Sequence, residues 1–434
     1  MRGTAVAERP LTSMIRPGGE PPDIGQYERA GGYSALRKAL REMTPEDVAA
    51  VVSDSGLRGR GGAGFPTGTK WRLMAPVEEA RRPRYQVCNA DEMEPGAFKD
   101  RFLMEGNPHQ LIEGMIIASY AVRADISYLF IRRAYGLAAR RLGRAIDEAY
   151  GRGYLGRDIM GSGFSLEMRL HRSAGRYMCG EESGLMNSIE GRRASPRAKP
   201  PHATTCGLWG RPTAINNAET LCNVPHIVKN GAGWYRGLGL GKDAGTKIYG
   251  VSGRVRNPGA WELPMGTPLR ELIEEHAGGM REGYRFRAAM PGGASTDFVL
   301  EDGLDVAMDF ESVPKAGSRL GTGTVIVLDD RRCPVGALLN LMTFFARESC
   351  GWCTPCREGL PWIRETLRAV EEGEGTEEDL EMLASHARLL GPGHTFCLLA
   401  PGAMEPLASG LRHFREDFMR HIRERRCPWR AAGA

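Results

Sequence analysis

The segment ESCGWCTPC, residues 348–356, carries three cysteines at C-x2-C-x2-C spacing: Cys350, Cys353 and Cys356. It lies between two amphipathic helical patterns, VGALLNLMTFFARES and REGLPWIRETLRAVEEG, so the three thiols must converge on one compact helix–helix turn. Three thiolates leave a four-coordinate site incomplete, and the fold must return a fourth ligand to them. Cys397 in HTFCLLAPG is the obvious donor, because it sits in the loop ahead of the last helical segment, which an antiparallel bundle brings back near the first junction. Cys427 and Cys333 are alternatives, although Cys427 lies near the tail and Cys333 ends a strand of the preceding domain. All-thiolate ligation at this triple spacing favours a [4Fe-4S] cubane over structural zinc, whose sites prefer two separated pairs, and over unrelated core cysteines. With TEEDLEMLASHARLL and PLASGLRHFREDFMRHIRERR, the helical signals predict an all-α four-helix bundle over 334–434.

A second constraint is the stretch GRGGAGFPTGTKW, Gly59 to Trp71, whose first six residues satisfy G-x-G-x-x-G. That fingerprint has its dinucleotide mechanism only when a strand enters it and a helix leaves it. Upstream, TPEDVAAVVSDSG has Thr44 as N-cap, acidic Glu46 and Asp47, then Val48, Val51 and Val52 at helical spacing. A helix enters, and Pro66 and Gly68 interrupt an immediate helix on the far side, so the Rossmann reading fails its own context. The loop keeps its physics: glycines let backbone N–H groups approach an anion, and Lys70 adds charge. A glycine-rich surface turn is the alternative.

Around these two features the chain divides into an arm over 1–30, rich in Pro, Gly and Arg and expected to lie on something else, an α/β domain over 31–240, a small α+β domain over 241–333 and the bundle. In the α/β part YQVCNA, ISYLFIR and FSLEMRLH read as strands, and AYGLAARRLGRAIDEAYGRG as a helix. In the α+β part GTKIYGVSGRV, YRFRAAM and TVIVLDD read as strands around the helix PLRELIEEHAGG, which suggests a β-grasp. The whole is thus expected to be multidomain, α/β plus α+β plus all-α.

Composition excludes several classes. Over 434 residues, 58 basic and 53 acidic side chains are interspersed, and a net charge of +5 is no nucleic-acid footprint. The most apolar stretch, LIEGMIIASYAV, is too short and broken to cross a bilayer, and no apolar leader is present, so a cytosolic protein is expected. In that setting the isolated cysteines read as reduced and mostly buried.

Three polar loops complete the site candidates. CNADEMEPGAFKDR places Asn89, Asp91, Glu92 and Glu94 after a strand end. CGEESGLMNSIEG has Gly180, Glu181 and Glu182 opening a helix, and RPTAINNAETLCNVP supplies Asn216, Asn217 and Thr220 ahead of another. Each alone reads as a cap or turn. Together they offer amides for a heterocycle edge, donors for a phosphate and carboxylates for ribose hydroxyls, an inventory that suits two nucleotides. A hydride donor delivers two electrons and an iron-sulfur cluster accepts one, so a flavin must stand between them. No Ser/His/Asp cluster suggests nucleophilic catalysis.

With GRGGAGFPTGTKW, CNADEMEPGAFKDR, CGEESGLMNSIEGRR, KPPHATTCGLWGRPTAINNAETLCNVP and ESCGWCTPCREG in one order, the chain resembles the NADH- and FMN-binding subunits of respiratory complex I, from about Gly56 to the final helix. The fourth-cysteine loop, HTFCLLAPGAMEPL, resembles the proteobacterial form. The resemblance implies a non-classical flavin/NADH-binding α/β domain, a soluble-ligand-binding β-grasp domain and a bundle holding [4Fe-4S] through Cys350, Cys353, Cys356 and Cys397. It implies that Gly59, Arg60, Gly61, Gly62, Gly64 and Lys70, with Gly68, line a shared FMN and NADH site, and that Phe65 stacks on adenine. By the same resemblance Asn89, Asp91, Glu92, Gly180, Glu181, Asn216, Asn217 and Thr220 hold the flavin and its phosphate, while Glu94, Glu182 and Lys199 contact NAD(H). No residue is expected as a general acid or base. The implied partners are a thioredoxin-like [2Fe-2S] subunit and a large iron-sulfur subunit, with membrane contact only through the rest of a complex on the cytoplasmic face. Met93 and His202 depart from the usual small residue and Phe, and both border the expected NADH pocket. The diaphorase subunit of an NAD-linked hydrogenase or formate dehydrogenase shares these motifs, often with added [2Fe-2S] or ferredoxin-like domains not seen in this sequence; a non-catalytic electron-transfer scaffold is the remote alternative.

Overall fold

The computed structural model describes residues 8–16, 18–74, 76 and 82–430. The chain forms two compact units, one of residues 1–93, 98–249 and 261–267, the other of 94–97, 250–260 and 268–434.

The first unit is built on a wholly parallel sheet of β1 Tyr85–Ala90, β2 Ile126–Arg132, β3 Glu167–Ser173 and β4 Thr213–Asn217, in the order β3-β2-β1-β4. Parallel strands are buried on both faces and read as continuous apolar runs, which is why YQVCNA and ISYLFIR are recognisable. On one face Tyr85, Val87, Tyr128, Phe130 and Ile215 pack with Leu185, Met186 and Ile189 of the helix Glu182–Ile189. The helix Pro108–Ala121, which carries LIEGMIIASYA, is apolar all round because it is buried all round. A Cβ at Gly114 would lie 2.0 Å from the Leu221 carbonyl oxygen, so this helix and Ala218–Asn230 approach backbone to backbone.

Where it is described, the segment before residue 31 packs on its own unit. Leu11 is fully buried, the Leu11 and Thr12 amides donate to Glu262, and Tyr27 donates to Glu113, all within this unit. Strand β4 has no signal of its own: its five residues, TAINN, are too short and polar to read as a strand, and the paired neighbour β1 makes them one.

A second sheet is formed by β5 Thr246–Ser252, β6 Gly259–Pro264, β7 Phe286–Met290 and β8 Thr324–Asp329, in the order β6-β5-β8-β7. Strand β5 pairs parallel with β8 over 250–252, and β7 pairs antiparallel with β8. The segments Leu269–Glu271 and Leu272–His276 form one helical turn region after β6. The segment from Pro334 onward holds five helices among the described residues, not four: Pro334–Glu348, Thr354–Glu372, Glu377–Leu389, Leu399–His413 and Arg415–Glu424. The last expected helix breaks at Phe414, whose ring is drawn edge-on against Phe298 at 5.1 Å.

Candidate functional site

In an open parallel sheet, ligands bind beyond the carboxyl ends of the strands at the point where strand order reverses. Here β1 continues to β2 on one side, while β4 lies on the other, so the reversal falls between β1 and β4. Their ends carry Asn89 and Asn217, directly opposite one another in register, with Asn216 opposite Cys88. Topology thus gathers residues that the sequence places over a hundred positions apart.

The glycine loop closes over this point. It is entered from the helix Pro45–Asp54, whose Thr44 and Asp47 form a reciprocal capping box. Gly59 N donates to Phe65 O at 2.9 Å and Thr67 N to Leu57 O at 2.9 Å, which pins the base. Gly62 (φ 127°) and Gly64 (φ 65°) make the turn that other residues adopt only with strain. The Arg60 amide donates to Thr220 Oγ1 at 2.8 Å, and a Cβ at Gly61 would sit 3.0 Å from Asn217 Cβ, so the loop is fastened to the start of the helix Ala218–Asn230. Contrary to the expectation that Pro66 and Gly68 interrupt a helix, Thr67–Arg72 is helical, because Gly68 lets it lie directly on Ser53. This short helix delivers Lys70 and Trp71: Lys70 Nζ donates to Ile215 O at 3.1 Å and Trp71 Nε1 to Asn216 Oδ1 at 2.9 Å. Phe65 is 46% exposed, with Lys70 Nζ 5.9 Å from its ring centre.

The polar loops are positioned as much by capping as by any ligand. Glu181 Oε2 caps the helix Glu182–Ile189, accepting from Ser183 N and Gly184 N at 2.9 and 3.1 Å. Its other oxygen accepts from Lys199 Nζ at 2.8 Å, and Lys199 also reaches Glu182 at 3.0 Å. Although burial acts the other way, Lys70 and Lys199 hold Glu182 below the usual carboxylate range. A Cβ at Gly180 would meet nothing within 4 Å, so space is open beside these carboxylates. Asn217 Oδ1 caps its own helix through Thr220 N at 3.3 Å. Asn89 Nδ2 donates to Cys179 O at 3.3 Å, Asp91 N donates to Asn89 Oδ1 at 3.1 Å, and Ser173 donates to Asp91 at 3.0 Å.

Three expected site residues sit differently. Arg60 is 1% exposed; its guanidinium turns inward and donates through Nη2 to Tyr235 OH, Ala244 O and Thr246 O, so only its backbone belongs to the loop. Glu92 is buried, accepts from the Asp100 and Arg101 amides at 3.1 and 3.2 Å at the start of the helix Lys99–Gly106, and receives Tyr135 OH at 3.2 Å. Burial and the nearby Asp100 push its carboxyl up to about 7. Glu94 belongs to the second unit, where it accepts from Ser295 N at 2.7 Å.

Beneath Asn217 lies a buried set with no signature in the sequence. Lys99 Nζ contacts Asp100 at 2.7 Å and Glu219 at 2.9 Å, Lys247 contacts Glu219 at 3.3 Å, and Asn217 Nδ2 donates to Asp100 at 2.7 Å. Burial pushes the Lys247 amine down to about 7, against the pull of Glu219. Lys99 and Asp100 stand in the quoted CNADEMEPGAFKDR, but nothing local shows that their partners are Glu219 and, through it, Lys247.

In the second unit Cys350 and Cys353 occupy the turn between Pro334–Glu348 and Thr354–Glu372, Gly351 bends it at φ 75°, and Cys356 lies in the first turn of the second helix. Ser349 Oγ is 3.3 Å from Cys356 Sγ. Burial pushes the Cys356 thiol up to about 11, and Cys353, Cys397 and Cys350 add to the effect. Thiols at this turn suit an iron-sulfur cluster, whose iron would stabilise the deprotonated form that burial disfavours. Cys333 and Cys427 lie elsewhere, beside Glu371 and His421.

Residues 52–226 match the Nuo51 FMN-binding domain, 248–299 the SLBB domain, and 336–421 the NADH-ubiquinone oxidoreductase-F iron-sulfur binding region. The chain is 55% identical to the F subunit of the NADH-quinone oxidoreductase of Salmonella typhimurium over 415 residues, covering 96% of this chain and 93% of the relative. The Escherichia coli F subunit gives the same identity and coverage, and that of Mycobacterium tuberculosis is 45% identical over 97% of this chain and 96% of its own length. The chain belongs to the family of NADH-quinone oxidoreductase F subunits. Members of this family are oxidoreductase subunits with FMN-binding and iron-sulfur-binding regions, and this chain has both. It is also similar to a solved NAD+-reducing [NiFe]-hydrogenase in its H2-reduced state, at TM-score 0.80 and 36% identity, covering 92% of this chain and 65% of that one. The air-oxidized state gives TM-score 0.79 and 37% identity.

Proposed function

We propose that this chain is the electron-input subunit of its complex, accepting electrons from NADH and passing them toward quinone through partner subunits. The observation that carries this reading is the glycine loop closing over the β1/β4 reversal, with Lys70 at its edge and Asn89, Asn216 and Asn217 at its floor. These residues fit FMN: exposed loop backbone at Gly61, positive charge at Lys70 and amide edges on two adjacent strand ends suit a phosphate and a flat heterocycle. Bound there, FMN supplies the conversion of a two-electron hydride donor to single-electron delivery.

The chain's own residues bind, orient and exclude. Gly59, Gly61, Gly62, Gly64 and Lys70 would hold phosphate and pyrophosphate; Asn89, Asp91, Asn216, Asn217 and Thr220 would fix the flavin edge, directly or by holding one another. Phe65 would stack on adenine, and Glu181, Glu182 and Lys199 would set the NADH side. Arg60 and Glu92 act by holding the loop and the helix Lys99–Gly106 in place. No side chain needs to move a proton, so the contribution is alignment and electrostatics. Carboxylates beside the ribose disfavour a 2'-phosphate. Steady-state kinetics should therefore show a large NADH preference in kcat/KM, and equal efficiency with NADPH would overturn the assignment of Glu181 and Glu182.

Cys350, Cys353, Cys356 and Cys397 would hold [4Fe-4S] as the electron exit. The finer architecture, β-grasp over the β6-β5-β8-β7 sheet and bundle for the helices after 334, with domains near 31–240, 241–333 and 334–434, is part of the same proposal. So are a thioredoxin-like [2Fe-2S] subunit and a large iron-sulfur subunit as partners. A peripheral place on the cytoplasmic face belongs to the same proposal; among the described residues no helix is long and apolar enough to cross a membrane. The hydrogenase-diaphorase reading is favoured by the two solved structures at 36–37% identity, and the complex I reading by relatives at 55%. Purification of the native assembly decides between them, by co-purifying hydrogenase or quinone-reducing subunits.

A further inference from the structure

Cys333 and Cys427 are alternative cubane ligands by sequence, and the structure sends both elsewhere. Cys333 Sγ lies 3.0 Å from Glu371 Oε2 and 3.3 Å from His421 Nε2, and His421 Nε2 lies 3.1 Å from Glu371 Oε2. With Cys427, one ligand-capable atom from each of the four lies within 4.8 Å of every other, and among the described residues this is the group so arranged. The four come from four places: the N-cap of Pro334–Glu348, the end of Thr354–Glu372, the middle of Arg415–Glu424, and the tail beyond it. All but Cys333 are buried.

We propose that Cys333, Glu371, His421 and Cys427 form a tetrahedral Zn2+ site that fastens the tail after Glu424 to the helices of the second unit. Two thiolates, an imidazole and a carboxylate are ligands that zinc takes in closed, four-coordinate sites. Tetrahedral bonds of about 2.0–2.3 Å imply ligand–ligand edges of about 3.3–3.8 Å; the separations of 3.0, 3.1 and 3.3 Å lie at or just below that range, and every pair is within 4.8 Å. The imidazole is also prepared for a metal. His421 Nδ1 lies 2.7 Å from the Asp417 carbonyl oxygen, which only accepts, so Nδ1 carries hydrogen and Nε2 is the ring atom left facing Glu371 and Cys333, free to bind a metal once it gives up any proton of its own. Trp429 stacks on the ring at 5.8 Å and 18°.

Without a cation, a proton shared between Nε2 and the Glu371 carboxylate holds the pair together, and a divalent ion would take the place of that proton. Binding releases the thiol protons of Cys333 and Cys427 and the proton on His421 Nε2 to water, and the resulting single excess negative charge is met by Arg430 Nη2, 3.3 Å from Glu371 Oε1. The tail backbone is held closely enough to keep the fourth ligand in place: a Cβ at Gly373 would lie 2.1 Å from the Arg425 carbonyl carbon.

The test is metal analysis and zinc X-ray absorption on the purified full-length chain with its cubane iron loaded, for the parent and for Cys427→Ser and Cys333→Ser. About one zinc per chain is expected, with two sulfur neighbours at ~2.3 Å and two nitrogen or oxygen neighbours at ~2.0 Å. Either variant should lose at least roughly tenfold in zinc occupancy while keeping its iron and flavin. Zinc absent from the iron-loaded parent, zinc bound by four sulfurs, zinc retained in both variants, or a Cys333–Cys427 disulfide in the unreduced protein would each overturn the proposal. Should the variants fail to fold, the sulfur count of the parent decides alone.

Discussion

Gly68→Ala should loosen the whole site by way of one methyl group. The new Cβ would lie 2.4 Å from Ser53 Cα and 2.6 Å from Ser53 N, both backbone atoms that cannot rotate away. An ordinary carbon contact is about 3.5–4.0 Å, so the helix Thr67–Arg72 must retreat by roughly 1 Å. That retreat carries Trp71 Nε1 beyond hydrogen-bond reach of Asn216 Oδ1, now 2.9 Å away, and shifts Lys70 with it. Overpacking of this kind costs about 1–3 kcal/mol and the lost bond about 1 kcal/mol more. The sum, roughly 2–4 kcal/mol, lowers Tm by roughly 5–15 °C in a unit of this size. Flavin affinity should fall about tenfold, since each ~1.4 kcal/mol of lost alignment is a factor of ten. The control is Gly143→Ala in the helix Gly136–Gly151, where a Cβ meets nothing within 4 Å and helix propensity should add about 0.5–1 kcal/mol. Urea denaturation and flavin titration of both variants make the comparison. A Gly68→Ala protein within ~0.5 kcal/mol of the parent, with unchanged flavin affinity, would refute the close approach on which the site geometry rests.

Glu92, with its carboxyl pushed up to about 7 by burial and Asp100, contributes stability that is complete below its unfolded value and lost as pH rises through 7. Glu92→Gln should therefore gain on the parent by on the order of 2–3 kcal/mol between about pH 5 and pH 8, and parallel denaturation profiles would show that the carboxyl does not titrate there. Cys397→Ser should lose cubane iron and its low-temperature paramagnetic signal while retaining flavin; full iron in that variant would return the fourth-ligand role to another residue. Glu182→Gln, which removes a carboxylate paired with Lys199 at 3.0 Å, should narrow the NADH-over-NADPH preference in kcat/KM by about tenfold, and an unchanged ratio would place the ribose elsewhere.

What is legible in the sequence has local signatures. YQVCNA and ISYLFIR read as strands because buried parallel strands are continuous apolar runs, and the capping box at Thr44 marks the helix that excludes a Rossmann entry. The cysteine triplet declares its turn. Hidden parts depend on partners distant in the chain. TAINN is a strand only because β1 pairs with it, and that pairing creates the reversal where we place the site. Arg60 in a glycine loop has the look of a phosphate ligand, yet Tyr235, Ala244 and Thr246 draw it inward. The break at Phe414 carries no glycine or proline, and Phe298 supplies its reason. Lys99, Asp100, Glu219 and Lys247 sit in three separate segments, and only the fold makes them a buried ion network.

The central claim is that one chain takes electrons from NADH at the glycine loop and delivers them to the cluster of Cys350, Cys353, Cys356 and Cys397. The most direct measurement is an anaerobic NADH titration of the full-length chain reconstituted with FMN and iron-sulfur, followed by flavin absorbance and low-temperature paramagnetic resonance. The account predicts that NADH bleaches the flavin band and produces the signal of a reduced cluster in the parent, and that Cys397→Ser bleaches without that signal. A flavin-loaded parent left unbleached by excess NADH would contradict it.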